Sequence, residues 1–269
     1  MAENFDSKKI SYIQIDHVNK FFDRGEEKLQ ILDDISFSVE KGQIACIVGA
    51  SGCGKSTLLR AIAGLDSNHE GKILVDGQEV LKPEKTRGMV FQEHRLFPWM
   101  TVKKNISYAL NGYDPKEKWE LVKAHINLVR LNGFENSYPR QLSGGMAQRA
   151  GIARALVNNP PVLLLDEPFG ALDTFTKINM QSELKRIQKE SGTTMILVTH
   201  DIDEAVFLAD KIIVLSNRPG KIKEIISVDL QEPRDRNSIE FLNIRRKIYE
   251  QFFDDSHLES KKMANRIKK

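Results

Sequence analysis

The apolar positions along the chain fall into distinct patterns, and their order predicts an α/β architecture. Residues 10–18 alternate apolar and polar for most of their length, the period of a half-buried strand. Phe37 and Val39 alternate with serines in a second such segment, so a small antiparallel β layer opens the chain. Ile44-Ala45-Cys46-Ile47-Val48 is instead an unbroken apolar run, as expected of a strand covered on both faces. Glycines punctuate Gly49–Gly54, and Lys55–Ala63 then reads as a helix stopped by Gly64. Strand, glycine turn and helix form the opening of an α/β unit.

The second half repeats this logic. Val162–Leu165, Met195–Thr199 and Lys211–Leu215 are buried-type strands. Between the first two lies an amphipathic helix, with Phe175, Ile178, Leu184 and Ile187 near one stripe and Gly192 at its end. Residues 114–158 differ: Trp119, Val122, Ile126 and Val129 recur at helical spacing, and a second helix runs from about Ser143 to Val157, stopped by Pro160. No strand pattern interrupts them, which predicts a helical subdomain inserted into an α/β core. Past residue 228 the chain is polar apart from Phe241, Ile244, Ile248 and Phe252, which read as a docked helix ahead of a basic end at 261–269.

Composition removes several classes of function. A formal charge of +3 on 269 residues is too small for a nucleic-acid binder. Two cysteines, Cys46 and Cys53, are too few for a disulfide framework and fit a reducing cytoplasm. The longest apolar runs, Ile44–Gly49 and Val162–Leu165, fall far short of the ~20 residues of a membrane helix. Met1–Lys9 is polar and has no signal-peptide core. The expectation is a chain that is neither secreted nor membrane-spanning, and that serves a membrane only from its cytoplasmic side, through a partner.

The chemistry begins at Gly49-Ala50-Ser51-Gly52-Cys53-Gly54-Lys55-Ser56-Thr57, which matches G-x-x-x-x-G-K-[ST]. Glycines let the backbone curl until several N–H groups point at one anion, and the following helix adds its positive end. Lys55 then meets the β- and γ-phosphates of a nucleotide, and the Ser56 hydroxyl ligates Mg²⁺. Cys53 inside the loop is open to two readings, a small outward-facing residue or a thiol activated by the helix terminus. The apolar strand Val162–Leu165 runs into Asp166 and Glu167 at the carboxyl edge of the sheet, where α/β proteins bind ligands. Asp166 suits Mg²⁺, directly or through water, and Glu167 points elsewhere and suits polarisation of an attacking water.

Leu142-Ser143-Gly144-Gly145-Met146-Ala147-Gln148-Arg149 resembles the L-S-G-G-Q signature of ATP-binding-cassette (ABC) transporter ATPases, with Met146 where glutamine is commonest. Ser143 caps a helix, and Gly144 and Gly145 bare its N–H groups to form a second anion site. The other motifs of that family are present in order. Gln92 matches the Q-loop glutamine that touches Mg²⁺ and links the helical subdomain to the core. Ala171-Leu172-Asp173 matches the D-loop, and His200 the switch histidine on the γ-phosphate. Phe22 stands where the family stacks an aromatic ring on adenine; Phe21 competes for that place, and a core role for either stays open. Gln92–Val102, Pro168–Asp173 and Leu215–Gly220 are similar to the nitrate/sulfonate/taurine importer group, and within it to bacterial aliphatic-sulfonate importers.

The resemblance implies a P-loop NTPase with a RecA-like core, an N-terminal antiparallel β layer and an inserted helical subdomain at about 93–158, the whole cassette spanning 10–225. Residues 226–269 would add a C-terminal helix and basic tail. It implies ATP and Mg²⁺ as ligands, with Ser56, Gln92 and Asp166 on the metal and Glu167, His200, Gln92 and Lys55 serving hydrolysis. Two copies would close head to tail, each lending Ser143, Gly144 and Gly145 to the other's phosphate loop. Partners would be two membrane permease subunits at the cytoplasmic face and, through them, an extracellular substrate-binding protein. Leu96, Phe97 and Trp99 would line the groove for a permease helix, or else pack the subdomain's own core. The alternatives are nitrate, taurine or pyrimidine importers, a separate-subunit exporter, or an ABC ATPase outside transport.

Overall fold

The computed structural model describes residues 11–25 and 27–252. The polar stretch Met1–Lys9 and the basic end at 261–269 lie outside them. Strand β1 (Ser11–Arg24) pairs with β2 (Glu27–Glu40), and then with β4 (Glu70–Val75), which carries the short β5 (Gln78–Glu79). This antiparallel sheet has the order β2-β1-β4-β5. The second sheet has the order β10-β9-β3-β8-β7-β6, formed by β3 (Ile44–Val48), β6 (Arg87–Val90), β7 (Val162–Asp166), β8 (Thr194–Thr199), β9 (Lys211–Leu215) and β10 (Ile222–Ser227). Its pairs are parallel except β10 on β9.

The unbroken apolar runs are unbroken because both faces are covered. Ile44, Cys46 and Val48 of β3 join a core with Leu163, Leu165, Met195 and Leu197. The intervening Ala45 and Ile47 join a second core with Val162, Leu164, Ile196 and Val198. Helix α1 (Lys55–Ile62) packs Leu58, Leu59 and Ile62 into the second core, beneath the antiparallel sheet. Helices α4 (Gly144–Leu156), α5 (Thr174–Ser191) and α6 (Ile202–Leu208) cover the opposite face. Burying each such aliphatic side chain is worth about 1.5–3 kcal/mol, which is what holds the helices to the sheet.

The helical segment contains α2 (Val102–Ser107), α3 (Pro115–Leu128) and α4. Asp114 caps α3 by accepting from the Lys116 N–H, with Pro115 at its first position. Val122, Ile126 and Val129 are buried as their spacing predicts, but Trp119, on the same stripe, is 42% exposed. On α5 the expected stripe is also wrong at its start: Phe175 is 81% and Ile178 42% exposed, and Met180, Gln181, Leu184 and Ile187 make the buried face. The apolar stripe therefore extends beyond the part of α5 that packs into the core. A helix over residues 239–252, α7, docks through Phe241 and Ile248, with Ile244 and Phe252 partly buried beside them. Arg234, ahead of α7, donates to the carbonyls of Val206 and Ala209 at 2.9 and 2.6 Å, closing the exit of α6.

Candidate active site

The phosphate cradle follows directly from β3. Its chain turns at Gly49, and α1 starts at Lys55 with Gly54 at the cap position and no capping side chain. Gly54 has φ +107°, and a Cβ there would lie 2.7 Å from Leu32 Cδ2, so only glycine fits. Lys55 is buried, and its ammonium donates to the carbonyls of Gly49 and Ala50 at 2.8 and 3.0 Å. The Ser56 hydroxyl donates to Asp166 Oδ1 at 2.8 Å, bringing two hard oxygen donors together at the sheet's carboxyl edge. Cys53 does not face outward, nor is it an accessible thiol: it is 1% exposed, its sulfur tucked beneath Gly49. Burial pushes its thiol above the ordinary value despite the nearby Lys55 charge.

A second layer braces the cradle and was not evident in the sequence. Arg218, in the turn after β9, donates through Nε and Nη2 to the Gly52 carbonyl at 3.0 and 2.9 Å. Gly220 in the same turn donates to Ile31 and accepts from the Asp33 N–H, tying the turn to β2. The string containing both marks the importer group, but only long-range packing brings it 166 positions back to the loop.

Glu167 sits just past β7 with φ +43°, a left-handed conformation that costs a non-glycine residue of order 1–3 kcal/mol. Its N–H donates to the Val198 carbonyl at 3.0 Å, and its Oε2 lies 3.1 Å from His200 Nδ1. Parallel pairing of β7 with β8 is what sets these two strand ends side by side. Gln92 extends beside the same group: a Cβ on Gly170 would be 3.3 Å from Gln92 Nε2 and 3.8 Å from Glu167 Oε2. Phe22, 45% exposed, lines one recess with Ser51, Gly52, Lys55, Ser56, Thr57 and Glu167. The buried Lys20 ammonium sits 5.0 Å from the Phe22 ring, and Phe21 is half-buried.

The signature turn lies apart from this recess. Ser143 caps α4 by accepting from the Met146 N–H at 3.3 Å, and Ser143 and Gly144 are exposed. Ser143 and Gly145 line a different recess with Arg130, Arg149 and Thr176. Asp173 of the D-loop caps α5 through the Thr176 N–H, and its hydrogen bonds with the Thr176 side chain and N–H hold its carboxyl below the ordinary range. The aromatic turn after Gln92 divides: Leu96 is buried in the subdomain core, while Trp99 is 69% exposed beside Phe97, 5.6 Å between centroids. Buried Asn105 shapes that turn, exchanging hydrogen bonds with Phe97 in both directions and donating to the Met100 and Thr101 carbonyls.

A parallel sheet with a glycine cradle at its carboxyl edge, a strand-end acid pair and a capped glycine signature define a nucleotide-hydrolysing cassette. The ABC transporter family model matches residues 32–170, and the chain belongs to that family; it is an ABC ATPase. It is 51% identical over 240 residues to an aliphatic sulfonates import ATP-binding protein of Bacillus cereus, covering 89% of this chain and 95% of that protein. The protein of the same description from Bacillus subtilis (strain 168) is 48% identical over 240 residues, 89% and 94% covered. A nitrate import ATP-binding protein of Synechocystis sp. is 45% identical over 231 residues, 84% and 87% covered. Among solved structures, the dimeric bacterial ABC transporter cassette MJ0796 superposes with a TM-score of 0.71 at 34% identity, over 81% of this chain and 99% of that one. A dimeric post-hydrolysis state of MJ0796, bound to ADP and Pi, gives 0.70 at 32%, with the same coverage. Among the described residues no helix is long and apolar enough to cross a membrane.

Proposed function

We propose that this chain is the ATP-hydrolysing subunit of an importer for aliphatic sulfonates, acting from the cytoplasmic face of the membrane. The observation that carries the substrate class is the 51% identity across nearly the whole length of a sulfonate-import ATPase. In this reading the cassette spans 10–225, with its helical subdomain at about 93–158, and two copies work on two permease subunits. An extracellular binding protein delivers the sulfonate to the permease, and no nucleic acid takes part. Exposed Trp99 beside Phe97 offers the permease an aromatic contact of the helix-in-groove kind.

Each residue then has one task. The N–H groups of Gly49, Ala50, Ser51, Gly52, Cys53, Gly54, Ser56 and Thr57 wrap the phosphates, and Lys55 exchanges its two carbonyl partners for phosphate oxygens. Phe22 stacks on adenine. The paired oxygens of Ser56 and Asp166 suit a magnesium ion, with Gln92 completing its protein ligands. Such an ion supplies charge neutralisation on the phosphates. Glu167, held by its backbone bond to β8, accepts the proton of the attacking water, and His200 hydrogen-bonds the γ-phosphate. Ser143, Gly144 and Gly145 approach from the second copy: Ser143 and Gly144 are exposed, and none of the three lines the recess of their own cradle.

The test is reconstitution in vesicles with the permease and binding protein of a sulfonate importer. ATP-dependent accumulation of an alkanesulfonate, lost in Lys55→Ala, is the expected result. Accumulation of nitrate instead, or hydrolysis without uptake of either anion, overturns the substrate assignment.

A further inference from the structure

The candidate site is split between two recesses, and one cation connects the elements that carry them. Lys177 closes the first turn of α5, its N–H bonded to the carbonyl of Asp173 at 2.8 Å. That turn touches the signature: a Cβ on Gly145 would lie 2.8 Å from Thr176 Cγ2, and one on Gly144 3.3 Å from Leu172 Cδ2. At its other end Lys177 donates to Asp201 Oδ2 at 2.5 Å and lies 3.3 Å from Glu204 Oε2. Asp201 immediately follows His200. Its other oxygen caps α6 through the Glu204 N–H at 3.0 Å, and its own N–H bonds Thr199 Oγ1 at 3.0 Å. The Asp201 side chain that follows His200 is thereby fixed by both α6 and Lys177, and its N–H by the end of β8.

The ion cluster is set into the core. The Glu204 side chain is 2% exposed, and Lys177 and Asp201 are 21% and 32% exposed. Burial raises the Glu204 carboxyl, partly offset by the Lys177 charge. Gln181 donates to Glu204 Oε2 at 3.3 Å and accepts from Arg236, whose guanidinium lies 4.1 Å over the Phe207 ring. A surface ion pair needs none of this backing.

We propose that Lys177 is a positioning residue that transmits the placement of the signature turn to His200, by locking the first turn of α5 to the loop on which the histidine rides. The inference rests on the cassette reading above. When a second copy engages Ser143, Gly144 and Gly145, the force on Leu172 and Thr176 reaches Asp201 through the Lys177 ammonium group, with the Gln181–Glu204 bond holding α5 to α6 behind it. Ser143 of one copy and His200 of the same copy serve different nucleotides, so Lys177 couples the two sites of the pair.

Lys177→Met, Lys177→Arg, His200→Ala and the Lys177→Met/His200→Ala double variant are compared in a phosphate-release assay across ATP concentrations, single turnovers being followed for hours. Lys177→Met is expected to lower kcat about tenfold with KM for ATP within about twofold, and Lys177→Arg to restore most of the loss. In the His200→Ala background the same change is expected to have no further effect, since its route is already cut. Wild-type kcat in Lys177→Met overturns the proposal. So does an equal fold-loss with and without His200, which reports general destabilisation. Undiminished hydrolysis in His200→Ala would instead overturn the role proposed for His200, on which the inference stands.

Discussion

Replacing Gly220 with alanine adds one methyl group at the point where the turn after β9 meets the phosphate loop. The added Cβ would stand 2.3 Å from the Cys53 carbonyl oxygen, where side-chain carbons essentially never come below 3.0 Å. Relief requires a displacement of about 1 Å, and neither partner is free to move. Gly220 is bonded to Ile31 and Asp33 of β2, while Cys53 is followed by Gly54, itself pressed against Leu32. Overpacking of this kind costs about 1–3 kcal/mol. If the loop yields, that cost appears as a fall of roughly 5–150-fold in ATP affinity. Titration calorimetry with ATP and Mg²⁺, paired with a thermal melt, separates the outcomes. Gly77→Ala serves as the control: its φ of +74° strains an alanine, but nothing lies within 4 Å. It should lower stability by about 1 kcal/mol and leave ATP affinity alone. Wild-type ATP affinity and melting temperature in Gly220→Ala would refute the bracing argument, whereas a lowered melting temperature alone would mean that the turn, not the loop, gave way.

Glu167→Gln should cut phosphate release by about 10²–10⁴-fold while leaving ATP bound, and size-exclusion chromatography with ATP and Mg²⁺ should then show a dimer; wild-type turnover would remove Glu167 as the base. Ser143→Arg should abolish hydrolysis without weakening ATP binding to the single chain, because Ser143 lines no part of its own cradle; normal hydrolysis with the membrane partners would exclude a site shared between copies. Glu204 should make stability fall as pH rises. Burial lifts its carboxyl from 4.5 to about 7, so the folded state holds the proton more tightly, and the stabilisation is present below about pH 4.5 and lost through pH 7. The groups facing it are Lys177, Asp201, Arg236 and Cys46. Between pH 5 and 8 the denaturant-measured stability of the wild type should drop by about 2–3 kcal/mol relative to Glu204→Gln, and a constant difference would contradict the assigned burial cost.

Much of the site was legible because its chemistry is local. A phosphate cradle needs consecutive residues, so Gly49–Thr57 can be read directly, with the buried run Ile44–Val48 before it and α1 after it. The same holds for Asp166 and Glu167 at a strand's end, and for the capped turn at Ser143. Continuous apolar runs predicted β3, β7, β8 and β9, since a strand covered on both faces has no polar side. Shorter or half-covered elements left too little pattern. β6 is four residues at a sheet edge and α2 is six. The alternation of β1 is broken where its register shifts, around His17 at φ +50°, which hid its extension to Arg24.

Tertiary packing decided which apolar residues are core and which polar groups meet. Phe175 and Trp119 fit helical stripes yet are exposed, because periodicity states which residues share a face and not whether anything covers it. Cys53 looked like a loop residue, but the turn of Gly220 and the underside of the cradle enclose it. The grip of Arg218 on Gly52 and the tie from Lys177 to Asp201 span 166 and 24 positions, and no spacing rule joins such pairs. They exist because parallel strands end at one edge of a sheet, bringing the loops that follow them together whatever their separation along the chain. Sequence alone determined the family and the ligand class and singled out the candidate reacting groups; the sheet order determined which groups sit beside Glu167, which recess Ser143 faces, and what braces the cradle.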